Sequence, residues 1–167
     1  QALARPPERR LHLAADGAAE VLYMVASLLA SDRDSQQGGG MTPAAQIYDQ
    51  LSLHLRPGDA YATVLLAQIQ ERNERYGDAI ATLERVKTDA TFGWTARLAI
   101  AGNLTRIERR DDAIALLKTM VEERRDRSDA AETLADLYRQ AERYPEAIGA
   151  YDTAITRTTN FDADDWR

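Results

Sequence analysis

The sequence predicts an all-α chain of antiparallel helix hairpins. Three observations predict it: a 34-residue step, apolar residues spaced by three and four, and small residues at fixed places. The tripeptide Asp78-Ala79-Ile80 returns as Asp112-Ala113-Ile114 and then as Glu146-Ala147-Ile148, 34 positions apart each time. Ala67, Ala101 and Ala135 keep the same step, each preceded by a large aliphatic: Leu66, Ile100 and Leu134. So do Leu83, Leu117 and Tyr151, and then Val86, Met120 and Ala154. A period of this length marks one supersecondary unit, which cannot bury its apolar face alone and must stack on its neighbours.

The elements follow in order. The first hairpin is irregular: Pro57 marks its end, Ala45 is its second small residue, and its first helix spans Gly17–Ser31 with Leu22, Val25, Ala26 and Leu29 on one face. Ala26 and Ala45 lie 19 positions apart where a regular copy, Ala67 to Ala79, needs 12, so seven extra residues fall in Ser31–Gly40. That stretch has three consecutive glycines and no apolar anchor. It reads as a mobile loop, an insertion tolerated at a surface turn because closure entropy grows slowly with length.

Apolar spacing then gives Tyr61–Glu71 paired with Asp78–Lys87, Thr95–Glu108 with Asp111–Glu122, and Asp129–Ala141 with Tyr144–Thr156. Connections such as Asn73-Glu74-Arg75-Tyr76-Gly77 are short and polar, which makes each pair antiparallel. The two alanine columns mark where paired helices cross, because only a small side chain lets the backbones approach. Pro145 sits in the first turn of its helix, where a missing N–H costs little. Asp162-Ala163-Asp164-Asp165-Trp166 reads as the start of a further helix, with Trp166 covering the helix that begins at Tyr144.

The organisation expected is an N-terminal extension at 1–16, an irregular hairpin at 17–59 with an inserted loop at 31–40, regular units at 60–93, 94–127 and 128–161, and a new helix from 162 to 167. A chain that opens Gln-Ala-Leu-Ala and stops within a helix reads as a segment of a longer protein. Its end faces would then be apolar and exposed, which gives homo-oligomerisation as an alternative role.

Composition excludes several functions. With 21 Lys+Arg against 27 Asp+Glu, the net charge of −6 and pI of about 5.0 have the wrong sign for a general nucleic-acid binder. Cysteine is absent, which removes disulfides, thiolate catalysis and cysteine-ligated metals. The longest uncharged apolar run, Val21–Ser31, has eleven residues, whereas a membrane span takes roughly 20. Arg5, Arg9 and Arg10 around Pro6-Pro7 are not followed by a signal-peptide pattern.

No chemistry-bearing constellation appears. His12 and His54 lack a second ligand at helical spacing. Asp32-Arg33-Asp34 opens like a calcium loop, but Gln37 replaces the required Gly and Pro43 the required Glu. Gly38-Gly39-Gly40-Met41-Thr42 lacks the Lys of a phosphate loop. Neither an enzyme, nor a cofactor, nor a metal site is expected.

A 34-residue hairpin with small residues in these two places resembles the tetratricopeptide repeat, over Ala60 to Phe161. Tyr76 and Tyr144 fill the aromatic place three residues before the second alanine; Arg110 departs from it. Thr91, Arg125 and Thr159 stand where that family often ends a unit with Pro. The resemblance implies a right-handed superhelix, an α-solenoid of about four units. It also implies a concave groove, lined by first helices, that binds a peptide or protein segment. Carried over place by place, the groove residues are Tyr61, Val64, Gln68 and Arg72, then Thr95, Leu98, Gly102 and Arg106, then Asp129, Glu132, Asp136 and Arg139, with Tyr23 and Ser27 upstream.

The places where some family members hold a chaperone carboxylate with Lys and Asn carry Tyr61, Val64 and Gln68, then Thr95, Leu98 and Gly102, then three acids, so that clamp is disfavoured. Residues 128–167 carry 9 acidic and 4 basic side chains, a net −5, which favours a partner with apolar anchors and basic residues. Arg97, Arg106, Arg109 and Arg110 interleave with Glu108, Asp111 and Asp112, and read as a self-paired face. Leu53-His54-Leu55-Arg56-Pro57 and Arg97-Leu98-Ala99-Ile100-Ala101-Gly102-Asn103-Leu104 are similar to the central part of long alphaproteobacterial proteins of this family. Some of those serve as envelope adaptors, which points to a bacterial periplasm or envelope rather than the cytoplasm.

Overall fold

The computed structural model describes residues 7–31 and 43–164, with side-chain surroundings for 14–31 and 43–158. Among them lie eight helices: α1 Pro7–Ser31, α2 Pro43–Leu55, α3 Ala60–Arg72, α4 Tyr76–Leu83, α5 Gly93–Arg106, α6 Arg110–Glu123, α7 Asp129–Gln140 and α8 Tyr144–Asp164. The described residues contain no strand. The fold is the all-α helix-hairpin repeat of the α-solenoid class. The insertion at 31–40 lies, beyond Ser31, outside the described residues, as does Trp166.

Residues 1–96 form one compact unit and 97–167 a second. In the first, α1 packs on α2, and α3 packs on α2 and α4. The crossings are built from alanines, with Ala19, Ala26, Ala45, Ala62, Ala67 and Ala79 all buried. Ile69 of α3 packs against Ala30 and Ala45, while Ala62 and Leu66 pack against Leu53 with Tyr23 alongside. Polar atoms cross the same joints: Ser52 Oγ donates to the Ala19 carbonyl at 2.9 Å, and Arg72 Nη1 to the Ala30 carbonyl at 3.0 Å. Asp59 caps α3 by accepting from the Tyr61 and Ala62 amides.

In the second unit α6 packs on α7 and α7 on α8. Ala101, Ala113, Leu117, Met120, Ala135 and Ala147 are buried. Arg157 of α8 donates to the Val121 carbonyl at 2.9 Å and to the Arg127 carbonyl at 3.1 Å, giving partners to the open end of α6.

The turn within each regular hairpin repeats to the atom. Glu74, Glu108 and Glu142, 34 positions apart, have φ of 59°, 62° and 58°. Arg75, Arg109 and Arg143 amides reach back to Gln70, Leu104 and Tyr138 carbonyls at 2.8, 2.8 and 2.9 Å, while the preceding Glu amides reach Glu71, Thr105 and Arg139 at 3.0, 3.1 and 3.1 Å. This is a Schellman cap with glutamate in the left-handed place that glycine usually fills. Each following Arg then pairs with the acid in the first turn of the next helix, Asp78, Asp112 or Glu146.

Three boundaries differ from the periodicity by more than two residues. The helix predicted from Gly17 begins at Pro7, since proline suits a first turn and nothing between them breaks the helix. The predicted break before Asp162 does not occur, and α8 continues to Asp164 because no Gly or Pro lies between Thr156 and Asp164. The helix predicted to Lys87 ends at Leu83, after which the bonds tighten to Arg85 N–H on Thr82 and Val86 N–H on Leu83. Gly93 is required near this turn, since a Cβ there would lie 2.7 Å from the Lys87 carbonyl oxygen. The window Ala14–Ser31, mean hydropathy 1.2, is long and apolar enough to cross a membrane by length and composition. The uncharged run is shorter because Asp16 and Glu20 interrupt it, and the segment packs on α2.

Candidate functional site

Each first helix buries its alanine side and turns the opposite stripe outward. On α3, Asp59 fixes the start, so Tyr61, Gln68 and Arg72 fall on the exposed stripe with Val64 half-buried. Tyr61 is held by an edge-to-face contact with Phe92, ring centroids 4.8 Å apart at 80°. Thr95, at the start of α5, is exposed and donates its hydroxyl to the Phe92 carbonyl at 3.0 Å. Tyr23 and Ser27 of α1 are half-buried.

In the second unit Leu98 and Asp129 are half-buried, whereas Gly102, Arg106, Glu132, Asp136 and Arg139 are exposed. Gly102, Arg106 and Asp136 come together in one cavity of about 580 Å³, which Thr105, Arg110 and Gln140 also line. A Cβ on Gly102 would meet nothing within 4 Å, so the glycine leaves open space at the cavity floor. Asp136 accepts from the Tyr151 hydroxyl at 2.6 Å and from Arg139 at 3.3 Å. These bonds, Tyr151's foremost, hold its carboxyl below the usual range, so it is an anion at neutral pH. Glu132 and Tyr151 also border a smaller, apolar recess of about 260 Å³ with Ala154 and Ile155.

Sequence reasoning missed Gln140 and Tyr151. Gln140 stands one helical turn after Asp136 and was legible by spacing. Tyr151 lies on a second helix, and only packing brings it to Asp136. Of the basic group, Arg97 pairs with Glu123 and Arg109 with Asp112. Arg97 holds the Glu123 carboxyl below its ordinary value. No group of three metal-capable side chains occurs among the described residues.

A family model described as tetratricopeptide repeat matches residues 43–92 and 98–163. The chain belongs to the tetratricopeptide repeat family. The crystal structure of MamA is similar at 16% identity, covering 90% of this chain and 85% of that one, with a TM-score of 0.68. MamA 41-end from Desulfovibrio magneticus RS-1 is similar at 18% identity, covering 85% and 76%, with a TM-score of 0.68. YrrB, titled a TPR protein with an unusual peptide-binding site, is similar at 16% identity, covering 81% and 66%, with a TM-score of 0.59. At these identities the likeness is one of fold. No curated protein matches the chain by sequence.

Proposed function

We propose that this tetratricopeptide chain is a non-enzymatic protein-interaction scaffold that holds a peptide or protein segment along the exposed stripe of its first helices. The observation that carries the reading is the cavity joining Gly102, Arg106 and Asp136. An apolar anchor would rest over Gly102 and against Leu98, and a Lys or Arg of the same segment would pair with Asp136, whose ionised form Tyr151 and Arg139 already stabilise. Asp129 and Glu132 add negative charge to the same helix. That YrrB is described as having a peptide-binding site is consistent with this use of the fold. The bacterial envelope, suggested by resemblance, is the compartment to test by fractionation of the native organism.

The experiment is affinity capture from native lysate with the wild type and the Leu98→Glu, Asp136→Arg double variant side by side. A protein retained by the first and lost by the second, with helical circular dichroism unchanged, supports the reading. Identical retained proteins overturn it.

A further inference from the structure

Among the arginines whose side-chain surroundings are described, all but two donate to an acceptor within the chain. The two are Arg106 and Arg110, and both line the cavity of about 580 Å³ that also holds Asp136. The basic group read from the sequence as self-paired therefore divides. Arg97 and Arg109 have acids, whereas Arg106 and Arg110 have none among the described residues.

Local sequence explains the division. Elsewhere an arginine finds an acid one helical turn away, as Arg109 finds Asp112 and Arg143 finds Glu146. Three and four positions from Arg106 stand Gly102, Asn103, Arg109 and Arg110; from Arg110 they are Arg106, Ile107, Ala113 and Ile114. Neither arginine has a carboxylate at helical spacing. Glu108 borders the same cavity from the turn, where its backbone is left-handed, and no ion pair among the described residues joins it to either. Two unpaired cations on one cavity raise its potential for an anion.

The cavity's formal charges, Arg106 and Arg110 against Glu108 and Asp136, cancel, and they are spread along the helix axis. In the 34-residue register Gly102 matches Asp136 and Arg106 matches Gln140. The level of Asp136 and the level of Arg106 are thus one turn apart, roughly 6 Å. In an extended segment, side chains two places apart share a side and stand roughly 7 Å apart. We propose that Arg106 and Arg110 hold the side-chain carboxylate of an internal Asp or Glu, two places from the Lys or Arg that pairs with Asp136. This rests on the peptide-binding reading above and extends it from a basic partner to one of alternating charge. The planar guanidinium forks suit a carboxylate, and the Gln140 side chain lines the same end. A carboxylate fits better than a phosphate: one negative charge beside one positive matches a cavity whose own charges cancel, whereas a phosphate brings nearly two beside Glu108 and Asp136.

The test begins with selection from displayed random twelve-residue peptides, flanked on both sides so that no free terminus takes part. The wild type is expected to enrich segments with an acid two places from a base. One enriched segment, synthesised with both ends capped, is then titrated against the wild type and the double variant Arg106→Gln, Arg110→Gln. Changing its acid to the amide should weaken binding to the wild type about tenfold and to the double variant less than twofold. Phosphoserine in place of the acid should weaken binding to the wild type as well. Circular dichroism and the urea midpoint of the double variant should match the wild type, because both arginines are exposed. Enriched segments without an acid at that place overturn the proposal, as does an amide loss equally large in the double variant, or tighter binding of the phosphoserine peptide. If such segments still lose binding to the Leu98→Glu, Asp136→Arg variant, the peptide-binding reading stands without this extension; no enrichment at all overturns both.

Discussion

Leu117 in α6 and Asp49 in α2 occupy one register position, four residues after the second small residue of their hairpins, and both are fully buried. Around Leu117 the position is hydrocarbon on hydrocarbon, worth on the order of 2 kcal/mol of burial. Around Asp49, neither carboxylate oxygen has a hydrogen-bond partner among the described residues. Burial, and after it the charge of Asp59, pushes the Asp49 carboxyl up to about 7. Tyr23 of α1 shares the setting: burial, then Asp59 and Asp49, raise its phenol. Arg56 is committed to Asp59 and Glu20. The repeat dictates where a side chain is buried, and the residue placed there dictates whether that burial stabilises or carries a pH-dependent cost.

The sign follows from proton uptake. Asp49 titrates near 3.9 in the unfolded chain and about 7 in the folded one, so between those values the folded state holds the extra proton. Its stabilising contribution is complete below the unfolded value, is lost as pH rises through the folded one, and changes no further above it.

The comparison can be broken most severely by making the two positions alike in the wrong direction. Leu117→Asp should destabilise the second unit by about 4 kcal/mol or more at pH 7, through lost burial and an unpaired buried carboxyl, and less at pH 5. Urea melts at the two pH values measure it; equal losses would show that the site does not bury the carboxyl. The converse change, Asp49→Leu, should stabilise the first hairpin by on the order of 3 kcal/mol at pH 8 and remove its dependence on pH. Hydrogen exchange of α1 and α2 peptides from pH 5 to 8 reads this directly, and wild-type protection that does not fall across that range would contradict it. The smallest effect concerns a feature that the regular hairpins share. Glu108→Gly should stabilise by about 1 kcal/mol by relieving the left-handed backbone, seen as a higher urea midpoint with unchanged slope.

Much of the fold was legible because its signals are local. The alanine columns, the 34-residue step and the polar connections all act within about ten residues of a crossing or turn, where sequence spacing and spatial spacing coincide. Asp49 could have been found by extending the Leu83, Leu117, Tyr151 column to the first hairpin through Ala45. The glutamates at positive φ could not, because glycine is the residue that marks such a place. The starts and ends of α1 and α8 were misjudged because neither has a breaker where the repeat period ends.

The sequence by itself determined the helix hairpins, their period and which side of each helix is apolar, because backbone hydrogen bonding and side-chain periodicity are properties of short segments. Tertiary structure alone decided that the Asp49 carboxylate finds no hydrogen-bond partner among the described residues, that Tyr151 reaches Asp136, and that Val21 and Leu28 are exposed where Ala62 and Ile69 are buried. Those outcomes depend on which second helix lies against which first helix, and burial is a property of the neighbour as much as of the residue.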